Sequence, residues 1–129
     1  MKIAVITPSI PSRTAMLAEA CESVARQTLA PECHLIATGL PRSKARNALA
    51  KNAHSELGCD WLAFLDDDDL LHPDHLEKLA TAAEYTHADM VYSRCEVQAE
   101  PGVSHPDIST WNRIWDRWAI QHANWIPVT

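Results

Sequence analysis

The sequence of 129 residues contains no apolar run long enough to cross a bilayer as a helix, which takes about 20 consecutive residues. Its first residues also lack the long apolar segment and the small-residue cleavage site of a secretory signal peptide. We therefore expect no transmembrane segment and a cytoplasmic location, in which cysteine thiols stay reduced.

The usual zinc-binding patterns of cysteine and histidine are absent as well. The four cysteines include no C-x-x-C pair and the seven histidines include no H-x-x-x-H pair, so the sequence does not favour a zinc site. Basic residues are also scarce, with 11 Lys and Arg against 17 Asp and Glu and a formal net charge of −6. That balance argues against a general nucleic-acid-binding surface. With 47% hydrophobic residues, the chain can still form one globular domain with a core.

The most informative segment is the apolar run at residues 61–65 followed by four aspartates, Asp66 to Asp69. Consecutive apolar residues predict a strand buried on both faces, as in a parallel sheet, and open α/β sheets bind ligands beyond the carboxyl ends of their strands. Four crowded carboxylates repel one another, and a bound Mg²⁺ or Mn²⁺ relieves that repulsion. The alternative is a solvated acidic turn that caps the next helix.

Short apolar runs alternate with helical patterns along the chain. The patterns predict strands at residues 2–6, 34–38, 61–65 and 90–97, and helices at residues 14–28, 43–54 and from Pro73 onward. Ser43 and Pro73 are the expected N-cap and first helical residue of the last two. A helix faced by Trp111, Trp115 and Trp118 and a closing strand at residues 125–128 would follow. The order predicts an α/β fold with a mostly parallel sheet flanked by helices.

Several segments occur in the order found in the family 2 glycosyltransferases, which the sequence resembles. They are residues 5–8, the S-x-x-x-Q-T segment at 23–28, the A-R-N segment at 45–47 and the G-x-x-W-L-x-F-L-D-x-D-D segment at 58–69. The resemblance implies the Rossmann-like GT-A fold of nucleotide-diphospho-sugar transferases. It also implies a nucleotide-sugar donor, an acceptor that is not identified, a divalent metal (Mn²⁺ or Mg²⁺) and an inverting reaction.

The resemblance assigns roles to single residues within these segments. Asp68 and Asp66 would bind the metal, and the nucleotide would be bound by Thr7, Pro8, Ser9, Arg13, Arg46, Asp66 and Asp67. Asp69 would be an outer neighbour of the metal or a helix cap. Taken alone, Arg46 is typical of an ordinary helix arginine and residues 7–9 of an ordinary loop. Five further residues are weaker candidates, because surface charge or a polar first helical turn explains each of them more simply. They are Arg42, Lys44, His72, Asp74 and His75.

Two features depart from the family pattern. Residues 37–41 contain no carboxylate where family members often recognise uracil, so the nucleobase is left open. No late carboxylate lies in the family's base motif, so the catalytic base is not assigned and we expect it beyond Thr129. We therefore expect a single GT-A-like domain over residues 1–129, incomplete at its carboxyl end. Residues 1–97 would bind nucleotide and metal, and residues 98–129 would begin the acceptor side.

Other functions remain open at this point. The chain can be a catalytically incomplete nucleotide- and metal-binding module, or another α/β nucleotide-handling enzyme. A nucleotidyltransferase of related fold would need a glycine-rich loop after its first strand, and residues 7–13 contain no glycine. A phosphohydrolase with an aspartate nucleophile would need D-x-D at the same place, which is also missing. A second copy of the chain is a candidate partner through the last strand and the tryptophan face.

Overall fold

The computed structural model describes residues 1–96. Seven elements follow one another, and the fold over these residues is α/β, as predicted. In chain order they are β1 (Ile3–Ser9), a short 3₁₀ helix (Pro11–Arg13), α1 (Thr14–Ala25), β2 (Cys33–Thr38), α2 (Arg42–Ser55), β3 (Trp61–Phe64) and α3 (His75–Thr86).

The three strands form one parallel sheet in the order β2-β1-β3. All seven residues of the central strand β1 are buried. Burial on both faces explains why its sequence shows no alternation of apolar and polar residues. Ala4 lies opposite Cys33 on one side and Leu62 on the other. Because all strands run the same way, their carboxyl ends meet at one edge of the sheet, where residues 66–69 follow β3. This is the arrangement expected for a Rossmann-like GT-A fold.

Helices cover both faces of the sheet, and the alternation of β1 decides which residues they cover. Ile3 and Val5 pack with Val24 of α1 and Leu76 of α3. Ala4, between them in the chain, packs on the opposite face with Ala53 of α2. The result is a three-layer arrangement with α1 and α3 on one side and α2 on the other.

β1 is longer than the predicted strand at residues 2–6 because it continues through Pro8. The Leu65 amide donates to the carbonyl of Ile6 at 3.2 Å, and the Gly39 amide donates to that of Ser9, also at 3.2 Å. Successive residues of β1 thus direct their N–H and C=O groups toward β3 and β2 in turn. By this alternation, the nitrogen of Pro8 faces β3. Pairing with β3 has already ended at Ile6 and Phe64, so the missing N–H of Pro8 costs no ladder hydrogen bond.

The S-x-x-x-Q-T segment joins α1 to the start of α3. The buried side chain of Gln27 donates to the carbonyl of His72 at 2.7 Å and accepts from the amide of Leu76 at 3.0 Å. The Ser23 hydroxyl oxygen accepts from the amide of Leu71 at 3.2 Å, and the amide of Thr28 donates to the carbonyl of Pro73 at 2.7 Å. These residues therefore support the loop that follows the aspartates.

Four local predictions were wrong. The strand at residues 61–65 is not buried on both faces, because β3 lies at the edge of the described sheet and Phe64 is 41% exposed. α2 begins at Arg42 after Pro41 as N-cap, so Ser43 lies inside the helix and does not cap it. α3 begins at His75, because the carbonyl of Pro73 is held by Thr28 in the turn before the helix. Residues 90–96 belong to no helix or strand, and the polar residues Ser93, Arg94 and Glu96 interrupt the apolar residues on which the predicted fourth strand rested.

The tryptophan-faced helix and the closing strand at residues 125–128 were predicted for positions outside the described residues. Within residues 1–96, no helix is both long and apolar enough to cross a membrane.

Candidate functional site

The four aspartates form a tight turn at the carboxyl edge of the sheet. The amide of Asp69 donates to the carbonyl of Asp66 at 3.2 Å. Leu65 still packs on the α1 face, and the alternation of the strand carries on from it. Asp66 therefore faces α2, and Asp67 turns back toward the start of α1. Neighbouring carboxylates reach different partners as a consequence.

Asp67 is the buried member of the run, with 3% of its surface exposed. The Ser9 hydroxyl donates to its Oδ2 at 2.8 Å, and Nη1 of Arg13 donates to its Oδ1 at 2.9 Å. Burial by itself raises the pKa of Asp67, but the hydrogen bonds from Ser9 and Arg13 and the charge of Arg13 outweigh burial and lower it. Asp67 thus remains ionised and fastens the end of β1 to the acidic turn.

Arg13 also bridges to the next carboxylate. The same Nη1 donates to Oδ2 of Asp68 at 2.8 Å, although Asp68 is far more exposed than Asp67. The 3₁₀ helix before α1 places this arginine at the rim of the sheet. One guanidinium therefore shares its donors between a buried anchor and an exposed carboxylate.

The opposite side of the turn faces two arginines from the first turns of α2. Nη2 of Arg46 donates to Oδ1 of Asp66 at 2.5 Å, and Nη1 of Arg42 lies 3.9 Å from its Oδ2. Nε of Arg46 is buried and has no hydrogen-bond partner among the described residues. A buried N–H without an acceptor is costly, so Nε is an unused donor on an arginine whose Nη2 is already held by Asp66.

Asp66, Asp68 and Asp69 bring three carboxylates together. Each offers an oxygen atom, and these oxygens lie within 4.8 Å of one another. Carboxylate oxygens are the ligands that Mg²⁺ and Mn²⁺ prefer, so the group can hold a divalent cation. Asp67, committed to Ser9 and Arg13, is not part of it. Asp69 is the member that sequence reasoning did not count as a ligand, and the unbroken aspartate run was its only signal.

The carboxylate of Asp69 is partly buried and lies beside three other carboxylates. Burial raises its pKa to about 6, and the negative charges of Asp68, Asp66 and Asp67 add to the shift. Without a cation, the ionised carboxylate that predominates at neutral pH therefore destabilises the folded protein relative to the unfolded chain.

Replacing Asp69 by asparagine is expected to stabilise the metal-free protein by about 1 kcal/mol at pH 7.5, a value reduced for the partial exposure of the side chain. The folded pKa, about 6, lies above the ordinary value of 3.8. The destabilisation thus grows as the pH rises through this window and is complete above it. Urea unfolding of both proteins at pH 4.5 and pH 7.5 measures the difference. Asp60→Asn, before the opposite end of β3, is the control. A gain of equal size at both pH values would contradict the assignment.

Thr7 lies at the same end of β1 but faces a different neighbour. Its buried hydroxyl is 2.8 Å from Nε2 of His34 on β2. Burial lowers the pKa of His34, so the ring is neutral at pH 7 and offers one donor and one acceptor. Thr7 therefore uses its hydroxyl inside the fold, and its backbone lies within the pairing of β1 with β2. Sequence reasoning missed His34, because only the strand register reveals its contact.

Of the weaker sequence candidates, Arg42 lies beside Asp66, whereas His72 and Asp74 pair with other residues. Nε2 of His72 lies 3.5 Å from Oε2 of Glu96, and Asp74 pairs with Lys78 at 2.6 Å. Across residues 1–96, the three aspartates are the only group of three or more His, Cys, Asp or Glu side chains suited to a metal ion. Nor does Asp69 cap a helix, since the N-cap position of α3 is Asp74.

Comparison with known protein families gives one match that covers most of the chain. The family model described as Glycosyl transferase family 2 matches residues 12–121, which include α1, α2 and the aspartate run. No curated protein and no solved structure matches the chain.

Proposed function

The chain belongs to glycosyltransferase family 2, and from this premise we propose that it transfers a sugar from a nucleotide-diphosphate donor to an acceptor with the help of a divalent cation. The observation that supports the metal is the group of three carboxylates at the carboxyl edge of the sheet. Membership of the family supports the donor class. An inverting reaction and the division into a nucleotide-binding part at residues 1–97 and an acceptor-side part at residues 98–129 rest on the resemblance.

Asp68, Asp66 and Asp69 would hold the cation, either Mg²⁺ or Mn²⁺. When bound, the cation would act as a Lewis acid for the diphosphate leaving group and would orient it. Asp68 is the first candidate ligand because its side chain is 42% exposed and therefore open to an ion from solvent.

The arginines on both sides of the turn would serve the diphosphate directly. Arg13 stands on one side, and Arg42 and Arg46 stand on the other. In the structure these arginines form ion pairs with the carboxylates of the acidic turn. A cation that neutralises those carboxylates would leave guanidinium N–H groups free to pair with phosphate oxygens, for which their planar fork is well suited.

The end of β1 would bind the nucleoside portion of the donor. Thr7, Pro8 and Ser9 are buried, and Pro8, whose carbonyl lies beyond the end of the pairing with β3, would contribute its backbone. Asp67 would act on the nucleotide through Ser9 and Arg13, both of which it holds in place.

Calorimetric titration with UDP and GDP, each with and without Mn²⁺, tests this proposal. We expect binding of a nucleoside diphosphate that depends on Mn²⁺, and the preferred base would follow from the comparison. Asp68→Ala is expected to weaken that binding about tenfold, since two carboxylates of the group remain. Asp60→Ala removes the same side chain at the far end of β3 and should bind like the wild type.

The outcomes separate the possible functions. Metal-dependent binding together with transfer, or slow donor hydrolysis, would support a transferase, whereas binding without either reaction would indicate a binding module. No binding of either nucleotide by the folded protein would show that the aspartate run is structural in this chain.

A further inference from the structure

Two cysteine side chains meet on the α2 face of the sheet. Cys33 is the first residue of β2, and Cys59 lies in the connection between α2 and β3. Cys33 packs against the buried cluster of Ala4, Ala53 and Cys59, and the Cys59 side chain is near enough to raise the pKa of the Cys33 thiol. The pair lies at the amino ends of the strands, the edge of the sheet opposite the aspartates.

The fold explains how thiols from non-adjacent strands come so close. β1 separates β2 from β3, but its residue between the two thiols is Ala4, which is fully buried and small. Cys59 is held over it because its amide donates to the carbonyl of Ala53 at 2.9 Å. Gly58, with a φ of +63°, makes the turn that precedes it.

We propose that Cys33 and Cys59 are a redox modification site, in which hydrogen peroxide or a related two-electron oxidant converts the two thiols into a disulfide bond. Cys33 is the more accessible thiol, since only 2% of Cys59 is exposed. The sulfur of Cys33, as thiolate, would attack the peroxide, giving a sulfenic acid and hydroxide. The Cys59 sulfur would then attack this sulfenic sulfur, so that the S–S bond forms and water leaves. The two thiols lose two electrons and the peroxide gains them.

The surroundings of Cys33 slow its reaction with an oxidant at neutral pH. Burial raises the pKa of the Cys33 thiol, and the neighbouring Cys59 side chain and the nearby charge of Glu32 add to this effect. Because the thiolate is the reactive form, the thiol reacts slowly at neutral pH. Cys33 and Cys59 are not joined by a disulfide bond in the structure.

The test is treatment of the full chain with hydrogen peroxide, followed by thiol counting in denaturant and peptide mapping without reductant. We expect the wild type to lose two of its four thiols and to yield a single cross-linked peptide pair containing Cys33 and Cys59. Cys21→Ser, in α1, is the matched control and should still lose two thiols. Cys59→Ser should form no intramolecular cross-link and should leave a sulfenic acid on Cys33 that dimedone traps.

Stability gives a second measurement on the wild type alone. A bond that closes the chain between residues 33 and 59 is expected to raise the midpoint of thermal unfolding by roughly 5–15 °C, and dithiothreitol should reverse the rise. Nucleotide binding at the opposite edge of the sheet should not change, so this test is independent of the proposed function. Oxidation of Cys33 to a sulfinic acid with Cys59 still free, or a cross-link through Cys21 or Cys95, would overturn the proposal.

Discussion

Replacing Asp67 by alanine is expected to lower the free energy of unfolding by about 3 kcal/mol. Asp67 is buried and accepts hydrogen bonds from Ser9 and from Arg13. The substitution leaves the Ser9 hydroxyl, itself 4% exposed, without its acceptor. It also removes the only buried negative charge that Arg13 contacts among the described residues. The loss exceeds that of an exposed ion pair because water cannot replace the missing partners.

Urea unfolding at pH 7 measures this loss, and Asp68→Ala is the matched control. Asp68 contacts the same arginine atom, but its exposed carboxylate should contribute less than about 1 kcal/mol. The pH dependence gives a further check, because the pKa of Asp67 is below its ordinary value of 3.8. Its stabilisation should be complete above that value and should be lost as the pH falls through the folded pKa. Equal losses in the two variants would show that Asp67 is not the anchor.

The acidic end of β3 could be predicted because its signals are local. A run of apolar residues without alternation predicts a parallel strand, and the aspartates must then lie at its carboxyl end. Its burial on both faces was not found, because β3 is the edge strand of the described sheet. Alternation along the strand also implies that adjacent carboxylates point apart. Which arginine each one meets could not be predicted, since it depends on where α1 and α2 begin relative to β3.

The errors arose where tertiary contacts override local preferences. Pro73 is a favourable first residue for a helix, yet its carbonyl is held by Thr28 at the end of α1. Pro8 was predicted to lie in a loop, but a proline is tolerated in the central strand beyond the point where pairing with β3 ends. Gln27 belongs to a segment noticed only for its resemblance, and its hydrogen bonds to residues 72 and 76 appear only in the folded chain.

Replacing Arg46 by alanine is expected to weaken Mn²⁺-dependent binding of a nucleoside diphosphate about 100-fold, since hydrogen bonds to charged groups contribute about 1.5–3 kcal/mol each. Its side chain is mostly buried and its Nη2 is paired with Asp66. Its Nε is buried without a partner among the described residues. We infer that Nε completes its hydrogen bonding only when the nucleotide binds.

Arg46→Lys separates charge from geometry. A lysine keeps a positive charge beside Asp66 but lacks the planar fork and has no atom equivalent to Nε. We expect about tenfold weaker nucleotide binding for this variant and unchanged affinity for Mn²⁺ alone, both measured by calorimetry. Arg26→Lys, at the far end of α1 where the arginine pairs with Glu22, is the matched control. If Arg46→Lys binds the nucleotide as tightly as the wild type, then a point charge is sufficient and Nε has no part in recognition. If it weakens Mn²⁺ binding equally, Arg46 acts only by holding Asp66 in place for the metal.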